Sequence, residues 1–273
     1  SSNQSEPDSQ TWRIPVQIQV IGDETPTSSL MESAETRVRV STQDASQSPS
    51  IKINAGQTGF LRVNYAKEEW DRLRNAVANR ELSATDRLGL QNDAYALVKA
   101  GHLPATVFLS LTEAFLDETD AIVWGDLASN VRGLEGMLTD TPHIGAFHKY
   151  ARTLFARIAE KVGWDGRPGE SHLDALRRSI VIGRFGAYGD VGTLDESRRR
   201  FNAHISGAAT LPPDIRGIVF GLVAQVADRT TYDTLWRLEQ EADLHEEKVR
   251  ILGALTRSHD KALLSDLLQR LIS

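Results

Sequence analysis

The sequence predicts a mainly α fold, an α-solenoid of helical hairpins preceded by a small partial β-sandwich. Three observations lead there. Ahead of Gly56 the apolar residues alternate in short stretches separated by polar segments. From Lys67 onward they recur at three and four spacing, broken only by short turns. Between the two regimes, Gly56 to Trp70 changes period. Leu61, Val63 and Tyr65 alternate on one face, whereas Trp70, Leu73 and Val77 fall at i, i+3 and i+7 on a helical stripe. Gly56 and Gly59 bracket a turn there that can take positive φ without a Cβ penalty. The expected organisation is a disordered or cut end over 1–10, a partial β-sandwich over 11–66 and a helical domain over 67–273.

The first strand spans Thr11 to Ile21, with Ile14, Val16, Ile18 and Val20 at period two on one buried face. Pro15 lacks a backbone donor and so places the start of this strand near an edge or bulge. A Ser/Thr/Glu-rich segment follows and reads as loop. Thr36 to Val40 reads as a second strand, Gln43 to Ser50 as a polar loop, Ile51 to Ile53 as a third strand and Phe60 to Tyr65 as a fourth. Four strands cover each other poorly as two sheets, so exposed edges prone to pairing are expected.

About eleven helices follow, by element spacing. Ser83 to Asp86 forms a capping-box start with Asp in place of Glu, and Leu90, Ala94 and Leu97 lead to a stop at Gly101. Pro104 opens a helix with Val107, Leu111, Ala114 and Phe115. The next, capped near Asp120, carries the clearest stripe of the chain in Trp124, Leu127, Val131, Leu134 and Leu138. Pro142 opens another with Ile144, Phe147, Ala151, Leu154, Ile158 and Val162, ended by the turn Gly163 to Gly169. Further helices begin near Ser171, Asp190, Pro213, Thr231, Leu244 and Asp260. Repeated antiparallel pairs without strands between them suggest HEAT or armadillo character. An apolar stripe of Leu264, Leu267, Leu268 and Leu271 close to the last residue suggests a chain cut within its helical domain.

Composition narrows the function. A length of 273 residues can bury a sizeable core, with 40% hydrophobic and 25% charged residues as in soluble proteins. A net charge of -6 argues against nucleic acid or anionic membrane as a partner. No apolar run approaches the roughly 20 residues that span a bilayer. The absence of cysteine excludes disulfides, thiolate catalysis and Cys-based zinc sites, and fits a reducing, cytoplasmic setting. Asn3-Gln4-Ser5 matches a glycosylation sequon in a polar tail, where chance explains so short a match.

No catalytic or metal site emerges. A zinc peptidase helix needs two imidazoles on one face with a glutamate beside the first. In His245-Glu246-Glu247-Lys248-Val249 the second ligand's place is taken by Val249, and the stretch reads as a solvated helix face. His143 and His148 are five residues apart and point to different faces, and His102, His172, His204 and His259 are scattered. Gly183 to Gly189 is glycine-rich without a preceding strand, so its glycines serve close helix approach and a tight turn. The basic run Arg198 to Arg200, beside Asp195 and Glu196, and the pair Arg177 and Arg178 read as a solvated face or local ion pairs, with a peptide-carboxylate contact as the alternative. Gly-x-Ser-x-Gly does not occur.

A resemblance adds to these readings. Asn54 to Tyr65, then Trp70, Leu73, Leu82 to Arg87 and Asp93-Ala94, resembles the segment that joins the β-sandwich to the C-terminal helical domain in aminopeptidase N and puromycin-sensitive aminopeptidase, which are gluzincin zinc aminopeptidases. Trp12 to Val16 resembles a sandwich strand of that family, and Gly183 to Asp190, Arg198, Phe201, Leu211 to Arg216 and Lys248 to Leu255 resemble later parts of its helical domain. The resemblance implies a C-terminal region without catalytic residues or a cofactor of its own. Zinc and the amino-terminus-binding motif would belong to an upstream catalytic domain of the same protein. The helical bowl would close over that active site and restrict access of the peptide substrate. Arg132, beside the Trp124 stripe, and Arg257, in the turn before the last helix, are the peptide-binding candidates by position in the family, each weighed against an ordinary surface arginine. The alternative is a HEAT-like protein–protein interaction scaffold with no peptidase parent. A His-Glu-x-x-His helix upstream in the parent reading frame separates the two.

Overall fold

The computed structural model describes residues 12–40 and 49–272. The expected cut end over 1–10, the Asn3 sequon and residues 43–48 of the polar loop lie outside the described residues. The chain forms two compact units, Ser1–Glu118 and Thr119–Ser273. Among the described residues there are eleven α-helices and one three-stranded sheet.

In the first unit β1 (Ile14–Val20) is the central strand, flanked antiparallel by β2 (Thr27–Met31) and β3 (Ile51–Ile53). The register runs from Ile14 opposite Met31 to Ile18 opposite Thr27 on one side, and from Ile18 opposite Ile53 to Val20 opposite Ile51 on the other. Pro15 is therefore tolerated in a central strand, because β3 pairs only with its far end. Val16 and Val20 are buried, Ile18 is half-buried and Ile14 is exposed.

Two of the four expected strands are corrected. Strand β2 lies in the stretch read as a loop, and it occupies the edge of β1 by hairpin pairing across a turn in which Gly22 has φ 99°. With β3 on the other side β1 is paired along both edges, and Thr36 to Val40 joins neither it nor the outer edge of β2. Val38 and Val40 still alternate half-buried with exposed Arg37 and Arg39, but no strand forms there. Phe60 to Tyr65 is likewise not a strand. Its polar groups bond to side chains instead: Arg62 Nη1 donates to Asp93 Oδ1 at 3.1 Å, and Val63 N to Asp93 Oδ2 at 3.4 Å. Val63 is buried, while Phe60 is fully exposed.

The edge of β3 is also covered rather than open. Ile51 N donates to Glu69 Oε1 at 2.8 Å and Ile53 N to Tyr65 Oη at 3.1 Å, so side chains satisfy donors that a pairing strand would otherwise meet. The Gly56 turn is closed by Asn54, whose Oδ1 accepts from Gly59 N at 2.8 Å and whose Nδ2 donates to Gly59 O at 2.9 Å. Gly56 takes φ 68°, and its N–H donates to Asp86 Oδ1 at 2.8 Å. Against this turn packs α2 (Ala84–Lys99), where Gly89 leaves room for the Gln57 side chain; a Cβ there would lie 1.9 Å from Gln57 Nε2.

Helices α1 (Lys67–Ala78), α2 and α3 (Ala105–Thr112) complete this unit. Trp70, Leu73 and Val77 are buried as their spacing predicts. Ser83 Oγ accepts from Asp86 N at 3.1 Å, the expected N-cap. Arg87 and Glu118 form a buried bidentate pair, at 2.6 Å from Nε to Oε2 and 3.0 Å from Nη2 to Oε1.

The second unit holds α4 (Ala121–Leu138), α5 (Ile144–Val162), α6 (His172–Ala187), α7 (Val191–Ile205), α8 (Pro213–Gln225), α9 (Arg229–Glu241), α10 (His245–Leu255) and α11 (Lys261–Ile272). Side-chain oxygens of Asp120, Ser171, Asp190 and Asp228 cap α4, α6, α7 and α9. Helices α4, α6, α8 and α10 pack side by side in series, and α5, α7 and α9 form a second layer on them. Phe201, Phe220, Tyr232 and Leu255 centre one core of this stack. The terminal leucine stripe divides: Leu267 enters that core, beside Leu263 from outside the stripe, Leu264 is half-buried, and Leu268 and Leu271 are exposed.

Candidate functional site

The apolar stripe of α4 faces the core, with Trp124, Leu127, Val131 and Leu134 all buried. Its other face carries Gly125, Ala128, Ser129, Arg132 and Glu135, again at three and four spacing. Small residues on that face keep side chains short, and the same holds for Ser179, Gly183 and Ala187 on α6, Gly217 on α8 and Gly253 on α10. These four helices line a cavity of about 720 Å³. Its size suits a ligand rather than solvent alone, within the roughly 300–1,000 Å³ of binding clefts.

Both sequence-predicted candidates, Arg132 and Arg257, line this one cavity, and α6 adds Arg184 between them in chain order. None of the three forms an ion pair or a side-chain hydrogen bond among the described residues. Arg184 is half-buried, and burial lowers its pKa, with the positive charges of Arg132 and Arg257 acting in the same direction against Tyr188 and Glu135. Burial likewise lowers the pKa of Arg257, with Arg132 contributing. Arg257 is exposed to solvent and lines the cavity, and partial burial of its guanidinium against Gly221 is consistent with the lowered pKa.

The turn that holds Arg257 is fixed to its neighbours. His259 N donates to Gln225 O at 3.2 Å, and Gln225 Nε2 donates to Ala187 O at 3.0 Å, joining the end of α10 to α8 and α8 to α6. The guanidinium lies against Gly221 of α8. Glu135 is the only carboxylate lining the cavity among the described residues, and it shares a 2.7 Å hydrogen bond with His148 Nε2. Beside this pair the buried Tyr188 hydroxyl has no hydrogen-bond partner, and burial raises its pKa, with Glu135 adding to the effect.

Arg184 is the residue that sequence reasoning missed, although it sits inside the singled-out run Gly183 to Gly189. The available signal was its place on a stripe of small residues, the pattern that also surrounds Arg132. The glycines of that run do permit close approach and a turn. A Cβ on Gly186 would meet Leu222 Cδ1 at 2.6 Å, and Gly189 has φ 86°. The other basic runs are matched locally. Arg198 pairs with Asp195 at 3.1 Å, Arg199 with Glu196 at 2.7 Å, Arg200 with Asp165 at 2.8 Å and Arg177 with Asp174 at 2.7 Å.

The described residues contain no group of three or more His, Asp or Glu side chains that could hold a metal ion. His148 is engaged by Glu135, and Val249 fills the second ligand position of the His245 helix. These residues do not fit a zinc site. No described helix is long and apolar enough to cross a membrane.

The family model described as ERAP1-like C-terminal domain matches residues 50–273. Aminopeptidase M1-A of Oryza sativa subsp. japonica is 36% identical over 230 residues, which is 82% of this chain and 26% of that protein. Glutamyl aminopeptidase of Sus scrofa is 29% identical over 97% of this chain and 29% of its own length. Puromycin-sensitive aminopeptidase of Caenorhabditis elegans is 24% identical over 98% of this chain and 29% of its own length. The chain thus spans between a quarter and a third of these relatives.

Proposed function

Because the chain belongs to the ERAP1-like C-terminal domain family, we propose that it is the non-catalytic C-terminal region of a zinc aminopeptidase that removes N-terminal residues from peptides. Zinc and the reacting groups would be held upstream, in the catalytic domain that the partial coverage of the relatives implies. The helical unit would close over that active site and restrict peptide access as a HEAT-like cover. A cytoplasmic location belongs to the same reading.

The observation that carries the proposal is the cavity with three arginines that lack a carboxylate partner among the described residues. A peptide's terminal carboxylate is a planar acceptor that a guanidinium can bind through two parallel hydrogen bonds. Arg132 comes from the first helix of the α4-to-α10 series and Arg257 from the turn after the last, so the cavity offers a terminal carboxylate a guanidinium from either side.

Two measurements test this. The 273-residue chain in a metal-supplemented, clean preparation is expected to release no product from aminoacyl substrates, and measurable turnover would overturn the reading. Fluorescently labelled peptides with a free carboxyl end are expected to bind the chain about tenfold more tightly than the same peptides amidated. The double substitution Arg132→Gln and Arg257→Gln should remove that difference. Equal binding of free and amidated peptides to the unaltered chain would favour the interaction scaffold instead.

A further inference from the structure

The cavity holds more positive charge than one carboxylate can balance. Three guanidiniums line it, and the one carboxylate lining it among the described residues, Glu135, is engaged by His148. Elsewhere in the same unit arginines are matched, as in the pairs of Arg198, Arg199 and Arg200. A peptide with a single terminal carboxylate would use one guanidinium and leave two uncompensated in a partly desolvated wall. That arrangement costs free energy unless further negative charge arrives with the ligand.

The three arginines come from α4, α6 and the turn after α10, with Arg257 reaching α8 at Gly221. Neighbouring helix axes lie about 8–10 Å apart, so the sites of attachment are spread across the cavity wall. A compact anion such as phosphate brings at most about two negative charges at neutral pH, fewer than the three guanidiniums. An extended peptide advances about 3.3–3.6 Å per residue and can present a carboxylate to each. The small residues along α4, α6, α8 and α10 leave the space for its backbone.

We infer that the cavity selects peptides carrying acidic side chains near their carboxyl end, so that the terminal carboxylate and one or two side-chain carboxylates together meet Arg132, Arg184 and Arg257. This rests on the proposed function, since it assumes that the peptide tail occupies the cavity. Arg184, on the middle helix of the three, is the selectivity residue.

Three labelled peptides differing only in their last two residues and their end group test it on the 273-residue chain by fluorescence anisotropy. One ends in two glutamates with a free carboxyl group, one in two glutamines with a free carboxyl group, and one in two glutamines as the amide. The acidic tail is expected to bind about tenfold or more tightly than the free glutamine tail, with the advantage shrinking as salt rises. Arg184→Gln should remove most of the acidic advantage while keeping the preference for a free over an amidated end. Arg184→Lys, which preserves the charge, should restore part of it, and a thermal melt confirms that both variants fold. Equal affinity for acidic and glutamine tails, with both tighter than the amide, overturns this inference and leaves the proposed function standing. Equal affinity for all three peptides overturns both. Displacement of the acidic peptide by inorganic phosphate at equal concentration would assign the site to compact anions and overturn the inference.

Discussion

The guanidinium of Arg257 occupies the space that a side chain on Gly221 would need: a Cβ built there lies 2.5 Å from Nη1 and 3.1 Å from Cδ. One helix of the stack thus gives up a side chain so that an arginine can lie against it.

Gly221→Ala separates placement of the arginine from stability. The alanine would push aside the flexible end of Arg257, which can move into the cavity, while the interior of α8 gains about 1 kcal/mol of helix propensity. Thermal denaturation is expected to show a melting temperature equal to or above that of the unaltered chain. Binding of a peptide with a free carboxyl end should weaken several-fold. Loss of stability without loss of binding would show that Arg257 does not engage the ligand from this position.

Gly186→Ala should behave in the opposite way. Its Cβ would meet Leu222 at 2.6 and 2.8 Å and Thr193 Cγ2 at 3.0 Å, in a packed interface between α6 and α8. Overpacking of this kind costs about 1–3 kcal/mol, which exceeds the propensity gain. Urea denaturation should record a lower midpoint with an unchanged slope.

Arg87→Ala tests the buried pair of the first unit. Glu118 is 4% exposed and would lose its bidentate partner, and Leu82 O would lose the 2.7 Å bond from Arg87 Nη1. Arg80 Nη1 stays 4.0 Å from Glu118 Oε1, so the loss is expected at about 3 kcal/mol, the low end for breaking a buried pair by removing one partner. A chemical denaturation curve with a loss below about 1 kcal/mol would show that Arg80 or solvent compensates Glu118 once Arg87 is gone.

Glu196 sets an acid limb of stability in the second unit. Hydrogen bonds from Arg199 and Arg200 hold its pKa down at about 2, against an ordinary value of 4.5. Its folded-state pKa is depressed, so the stabilisation is full above the ordinary value and is lost as pH falls from 4.5 towards 2. The side chain is 25% exposed, and solvent screening reduces the effect to about 1 kcal/mol. Glu196→Gln should therefore be less stable than the unaltered chain at pH 6 and converge with it near the low end of that window. A constant difference across the titration would point to packing instead of charge.

The helical part was legible because its signals are local. The N-caps at Ser83, Asp120, Ser171 and Asp190, the proline at position 104 and the buried stripe of α4 each depend on residues a few positions apart, and each is met in the fold. The strands were less legible. Thr36 to Val40 and Phe60 to Tyr65 show the alternation of strands, and their side chains alternate in burial, yet neither pairs with a strand of the sheet. Pairing is a property of two segments, and β1 had already been taken on both sides. Of the cavity, Arg132 and Arg257 were found through a resemblance and Arg184 was not found, because no spacing along the chain joins α4, α6 and the turn after α10.

By itself the sequence determined the helical series, the change of period between Gly56 and Trp70, and the exclusion of cysteine chemistry, since all three rest on composition or on residues within a few turns of one another. The tertiary structure alone decided that Thr27–Met31 and not Thr36 to Val40 completes the sheet, and that Arg132, Arg184 and Arg257 share one cavity. Both outcomes depend on which surfaces are already occupied by a neighbour, and that is settled only when distant segments compete for the same hydrogen bonds and the same space.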